Sequence, residues 1–209
     1  MKLSAYEFAQ AIEARIEALS PEQFHERPRD AKRLLEELYP LSRLALSFKQ
    51  PGLTVFVEAN EDSGRADGQL WLAGFLDKTF EVQVTFAGYE RAAALRSSLL
   101  LQQALAPGGR GEAVNRPAGQ TAADSDQDGA TASIGRLGIS IGQRIRSKAA
   151  KPYAPGTVLL VAFEDPQLRG RGGWSRLYQV IENAGGIECG PFAEVYLFNT
   201  YSNELQRAA

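Results

Sequence analysis

The segment TFEVQVTF at residues 79–86 alternates apolar and polar positions, and its polar side carries Glu81, Gln83 and Thr85. Alternation with a period of two marks a strand with one buried face. A carboxylate and an amide two residues apart stand side by side on that face, a spacing that serves either a hard cation or the wet side of an ordinary strand. Upstream, Asp67 in ADGQLWLAG precedes a second strand-like run, with Gly68 placed to let the chain turn. Paired as antiparallel neighbours, the two runs are expected to bring Asp67 and Glu81 together. Two carboxylates so placed repel, and an oxygen-ligated divalent cation relieves the repulsion. A third acid comes from RLLEELYP, where Glu37 shares the spacing of Leu34, Leu41 and Leu44 and so points to the apolar side. Glu36 instead aligns with Arg33 and Arg43 on the wet side. Burying Glu37 unpaired is costly, which makes it a candidate ligand or a support for one.

These residues need a scaffold. The chain has 209 residues, 44% hydrophobic and 23% charged, enough to bury one core, and a single domain over 1–209 is expected. Ser4 and Glu7 have capping-box spacing ahead of Phe8, Ile12 and Ile16, which predicts a helix ending near Ser20–Pro21 and makes 1–29 an N-terminal helical extension. A second helix is expected over about 30–48, kinked or broken at Pro40. LTVFVEA, QLWLAG and TFEVQVTF read as three strands, the last two joined tightly through FLDK, and a helix over about 89–105 follows. Residues 106–133 lose all periodicity and fill with Gly, Ala, Asp and Gln, reading as a flexible excursion within the domain. A helix around 139–150 comes next. TVLLVAF is apolar on both faces, and a helix over 174–183 and the strand AEVYLFN complete the chain. A strand apolar on both faces, then a helix, then a strand is the pattern of a parallel crossover, so the expected class is α/β with a mixed, helix-covered sheet. Inside such layers, a polar strand face looks into either an edge or a site.

Composition removes several chemistries. A single cysteine, Cys189, forms no internal disulfide and reads as a packing or loop residue, and a single histidine, His25, leaves no material for a zinc site or a His-based triad. DSDQDG at 124–129 opens like a calcium loop, but Gly135 stands where the bidentate Glu belongs, so a solvated acidic loop is expected. No phosphate-binding loop or dinucleotide fingerprint occurs. No apolar run is long enough to span a membrane and the N-terminus lacks a secretory core, so a cytoplasmic protein without a membrane partner is expected. The net charge of -2 gives no global pull on nucleic acid, yet Arg144, Arg146, Lys148 and Lys151 cluster without an acid among them, and Arg171 lies in a glycine-rich turn before a helix. Trp71 and Trp174 read as core or rim residues rather than base-stacking platforms.

The order helix with Glu, strand, strand with Asp, strand with Glu-x-Gln, helix, strand resembles the PD-(D/E)XK nuclease superfamily, the restriction-endonuclease-like fold. RLLEELYP is similar to its first-helix acid, ADGQL to its Asp and FEVQV to its Glu-x-Lys strand. IRSKAAKPYAPGTVLLVAF resembles the helix with a Lys-and-Tyr ending that precedes a buried strand in many members. The resemblance covers about residues 30–200 and implies metal-dependent phosphodiester hydrolysis of nucleic acid, with DNA ahead of RNA and a homodimer left open. Asp67, Glu81 and the carbonyl of Val82 would hold Mg²⁺ or Mn²⁺, with Glu37 and Gln83 completing the catalytic set and no organic cofactor. The departure is Gln83, an amide that can orient water but carries no charge where the family has lysine. Lys78, Lys148 or Lys151 would have to replace that charge. A catalytically inactive nuclease-fold module that binds nucleic acid or protein is therefore the competing expectation, ahead of an unrelated small-molecule enzyme.

Overall fold

The computed structural model describes residues 1–60, 66–88, 122–168 and 170–209, with the backbone alone for 122–130. The helix expected over 89–105 and the first part of the 106–133 excursion lie outside the described residues.

Seven strands form one mixed sheet in strictly sequential order: β1 (Leu3–Ser4), β2 (Leu53–Ala59), β3 (Gly68–Gly74), β4 (Lys78–Phe86), β5 (Val158–Phe163), β6 (Glu194–Asn199) and β7 (Glu204–Arg207). From β1 to β4 each pair is antiparallel, β4, β5 and β6 run parallel, and β7 returns antiparallel to β6. The α/β class and the β5–helix–β6 crossover match the sequence pattern. The short edge strands β1 and β7 do not show in it, because two to four residues carry no readable alternation.

Helices lie on both faces. Ser4 caps α1 (Ala5–Glu17) through the expected box, its Oγ accepting from the Glu7 N–H at 3.2 Å while the Glu7 carboxylate accepts from the Ser4 N–H at 3.0 Å. Ser20 and Gln23 repeat the device ahead of α2 (Pro21–Glu26), a helix the sequence reading passed over. Next, α3 (Arg29–Arg33) runs through a π-helical turn (Leu34–Leu38) into α4 (Tyr39–Ser47). The widened turn is the physical answer to Pro40. Proline has no N–H and its ring crowds the carbonyl four residues back, and the turn absorbs both by pairing the Tyr39 N–H with the Leu34 carbonyl five residues earlier. These helices cover one face, where Leu41, Leu44, Val57, Leu70, Val82 and Leu160 are fully buried or nearly so. The other face holds α5 (Ala122–Ala149) and α6 (Gly170–Asn183) over Leu159, Val161 and Phe163 of β5. Each such aliphatic or aromatic side chain contributes roughly 1.5–3 kcal/mol by leaving water.

Two sequence expectations change here. Helix α5 starts well before residue 139, so the second part of the expected excursion, 122–133, is helical, and DSDQDG lies on a helix instead of in a loop. Gly68 does not turn the chain through a left-handed conformation. It serves close approach, because a Cβ there would stand 2.5 Å from a Leu41 methyl and 3.2 Å from the Glu58 carbonyl.

Candidate functional site

The sheet forks where its antiparallel half meets its parallel half. Strand β3 begins at Gly68, opposite Val82, but β4 runs on through Gln83, Val84, Thr85 and Phe86 with β5 as its only continuing partner among the described residues. Past Val82 the β3 side of β4 therefore has no strand among the described residues to take its backbone donors. Asp67, one residue before β3, fills the gap: its Oδ2 accepts from the Val84 N–H at 2.7 Å and from the Gln83 amide, which also donates to the Val84 carbonyl at 3.0 Å. The Asp67 carbonyl accepts from the Asn60 N–H at 3.0 Å, so the end of β2 holds the aspartate from behind.

A cleft of about 240 Å³ opens over this fork, lined by Glu37, Asp67, Gln83, Thr85, Arg144 and Lys148 among others. The helical face supplies Lys32, Glu36 and Glu37, and α5 supplies Arg144 and Lys148. Burial pushes the Asp67 carboxyl above its ordinary range, against the opposing pull of the Val84 N–H and the Lys148 and Arg33 charges. The Glu37 carboxyl is raised too, first by burial and then by the Asp67 charge. Lys148 is lowered, chiefly by burial, while the Asp67 and Glu37 carboxylates favour its charged form. Tyr153, just past α5, is raised by burial and by Asp67. Two carboxylates, a half-buried ammonium and a phenol thus share one electrostatic neighbourhood, the pattern in which perturbed groups accompany a working site.

Several sequence expectations land here and several do not. Asp67, Gln83, Glu37, Arg144 and Lys148 converge. Glu81 does not meet Asp67 across the strand pair, because the register sets Glu81 opposite Gln69, and it is not among the residues lining the cleft. Val82 lies within the sheet, paired with Gly68 on one side and Val158 on the other. Arg146 turns away and donates to the Ala184 carbonyl at 2.8 Å, tying α5 to the end of α6. Lys151 and Arg171 are exposed and outside the cleft lining. Lys78 sits at the opposite end of β4, 3.6 Å from Glu194, too far along the strand to replace a charge at position 83. The expected contrast between Glu36 and Glu37 is reversed, with the Glu36 side chain 17% exposed and that of Glu37 41%. Glu36 is held by Arg27 at 3.2 Å and Glu37 by Arg33 at 3.8 Å. The π turn adds a residue to the helical repeat and rotates both acids out of α-periodic register.

Among the described residues no group of three or more His, Cys, Asp or Glu side chains is close enough to hold a metal. Asp67 and Glu37 remain a two-carboxylate oxygen set, and Mg²⁺ is commonly held by one or two carboxylates with water and substrate phosphate making up the rest. Two carboxylates on one cleft have the donor chemistry of a hard divalent cation site. Comparison with protein families, with curated proteins and with solved structures found no match.

Proposed function

We propose that the cleft at the fork is a metal-dependent phosphodiesterase site acting on nucleic acid, on a restriction-endonuclease-like core. The observation that carries the reading is the convergence of Asp67, Glu37, Gln83 and Lys148 on the free end of β4. Asp67 and Glu37 would hold Mg²⁺ or Mn²⁺, which supplies a nucleophilic water at neutral pH and neutralises charge on the phosphate. This chain's own residues do the rest. Lys148, kept partly desolvated beside both carboxylates, supplies the positive charge that Gln83 lacks and contacts a phosphate oxygen. Arg144, exposed one helical turn earlier, extends that contact along the backbone of the strand. Gln83 holds the Asp67 carboxylate in place through its amide. Carboxylates raised by burial gain most from a cation, because the cation removes the cost of their ionised forms.

A second reading rests on a different observation. Asp67 Oδ2 is already satisfied by two protein donors and Glu81 stands outside the cleft, as in a nuclease core that has lost its chemistry and kept a basic binding cleft. The test is cleavage of single-stranded DNA, duplex DNA and RNA with Mn²⁺ or Mg²⁺ by wild type, Asp67→Ala, Lys148→Ala and Glu81→Ala. The phosphodiesterase reading expects cleavage that Asp67→Ala and Lys148→Ala both destroy. Binding without cleavage in folded wild type supports the second reading.

A further inference from the structure

A second cavity lies directly beside the cleft, at the carboxyl ends of β4, β5 and β6. Its volume is about 540 Å³, inside the range of roughly 300–1,000 Å³ typical of sites that enclose a small organic group. Phe86 lines both spaces, and so does one ion pair: Glu36 faces the cleft while its partner Arg27 faces the cavity. Arg27 also reaches Glu164 at 3.0 Å and lies 5.7 Å above the Phe86 ring, so the dividing wall is a packed unit of ring, guanidinium and carboxylates.

The cavity has an aromatic interior. Tyr39 and Phe86 stand within it, and Phe24 of α2 and Tyr201 of the β6–β7 turn stand on it with side chains left open to solvent, at 40% and 55% exposure. These two rings come from segments far apart in the chain, and a large aromatic exposed twice around one opening calls for an occupant. The edges are polar. Arg43 lies 4.7 Å over the Tyr39 ring and pairs with Glu13, yet its Nε is buried without a hydrogen-bond partner among the described residues. Flat aromatic faces with charged donors and acceptors at their margins match a nucleobase, which has a π face and a hydrogen-bonding edge.

We infer that this cavity receives one unstacked base of a single-stranded nucleic acid whose phosphates run over Lys148 and Arg144. The inference rests on the proposed phosphodiesterase reading and adds the substrate form to it. Val84, which holds Asp67, and Phe86, which forms the wall, are two residues apart on one strand, about 7 Å at the usual rise. A single nucleotide spans that step, with its phosphate in the cleft and its base across the wall. A base in a duplex is stacked and paired, so only an unpaired one enters without the expense of opening the helix.

The test uses full-length protein in Ca²⁺ with a fluorescein-labelled oligothymidylate in which 5-iodouracil replaces thymine, read by anisotropy and by mass spectrometry after long-wave photocrosslinking. Expected are crosslinks to peptides carrying Tyr201, Phe24 or Tyr39, and a loss of single-strand affinity of roughly tenfold in Tyr201→Ala with duplex affinity unchanged. Phe24→Ala, also at an exposed position, is expected to act in the same direction. Crosslinks confined to other surfaces, such as Trp71, with affinity unmoved by either variant, overturn the base pocket and leave the cleft reading standing. Failure of the protein to bind or cleave any nucleic acid overturns both together.

Discussion

Two aspartates sit at ends of strands in this sheet, and they are built differently. Asp165 follows β5, is 4% exposed, and accepts through Oδ1 from the N–H groups of Gln167 at 2.7 Å and Leu168 at 3.1 Å. The donors to Oδ1 are two and three residues on, the geometry of an Asx turn, while Oδ2 accepts from the Ser133 hydroxyl at 3.4 Å. Asn199 at the end of β6 completes the knot, accepting from the Asp165 N–H and donating to the Asp165 carbonyl, which ties the parallel strands together. Asp67 takes its donors from sixteen and seventeen residues away on another strand, beside a second carboxylate and a lysine. Two backbone donors from the next residues make a turn. Distant donors, with charges that burial has perturbed, make a place where a cation or a phosphate lowers the energy.

The comparison breaks most visibly in paired alanine variants. Asp67→Ala is expected to lower metal-dependent cleavage on the order of 10³-fold, the loss that follows from removing several kcal/mol of charge stabilisation. Asp165→Ala is expected to leave cleavage per folded molecule unchanged and instead to lower unfolding free energy by about 2–5 kcal/mol, because two backbone donors lose their acceptor. Gradient-gel cleavage assays and urea unfolding on both variants check the pair. Equal stability losses with no difference in cleavage would place Asp67 among turn residues as well. A smaller effect comes from Gln83→Lys, which places a cation against Asp67. Cleavage is expected to stay within about twofold of wild type, because Lys148 supplies the charge at this site. A rise of roughly tenfold in a folded Gln83→Lys protein would mean that Lys148 does not supply the charge.

Much of this was legible. The capping box of α1, five strands and the disturbance at Pro40 all follow from short-range rules that hold whatever the rest of the chain does. Register was not. Pairing Asp67 with Glu81 differs from the observed pairing of β3 and β4 by two residues, and a two-residue slip keeps every side chain on its own face, so the apolar pattern fits both equally well. The tight connection through Phe75, Leu76 and Asp77, with the Asp77 carboxylate accepting from the Gly74 N–H at 3.2 Å, fixes the choice. Glu36 was misplaced for a related reason, since helical periodicity assumes a constant repeat and the π turn changes it. Its pairing with Arg27, which in turn reaches Glu164, links segments 137 residues apart and has no local signature. Lys148 stood in the sequence as one of three lysines that could replace the charge missing at Gln83, and Tyr153 only as part of a Lys-and-Tyr ending; which of them approaches Asp67 is a product of the β4–β5 crossover.

The smallest expected effect separates a cation site from a polar cleft without any nuclease assay. Burial holds the Asp67 carboxyl above its ordinary value, and burial together with the Asp67 charge does the same to Glu37. A carboxyl raised in the native state binds its proton more tightly there than in the unfolded chain. Its contribution to stability is therefore complete below the ordinary carboxylate range, declines as pH rises through that range, and levels off above the raised native value. Urea midpoints measured from about pH 3 to about pH 8 are expected to include this decline in wild type and to lack the Asp67 share of it in Asp67→Asn, with the variants' difference opening across the carboxylate range. Millimolar Mn²⁺ is expected to flatten the wild-type decline, because a bound cation favours the ionised carboxylates that burial disfavours, and to leave Asp67→Asn unmoved. A wild-type curve that ignores Mn²⁺ while retaining its decline would show that Lys148 and Arg33 alone balance these acids, and the cleft would then be a binding surface with no place for a metal.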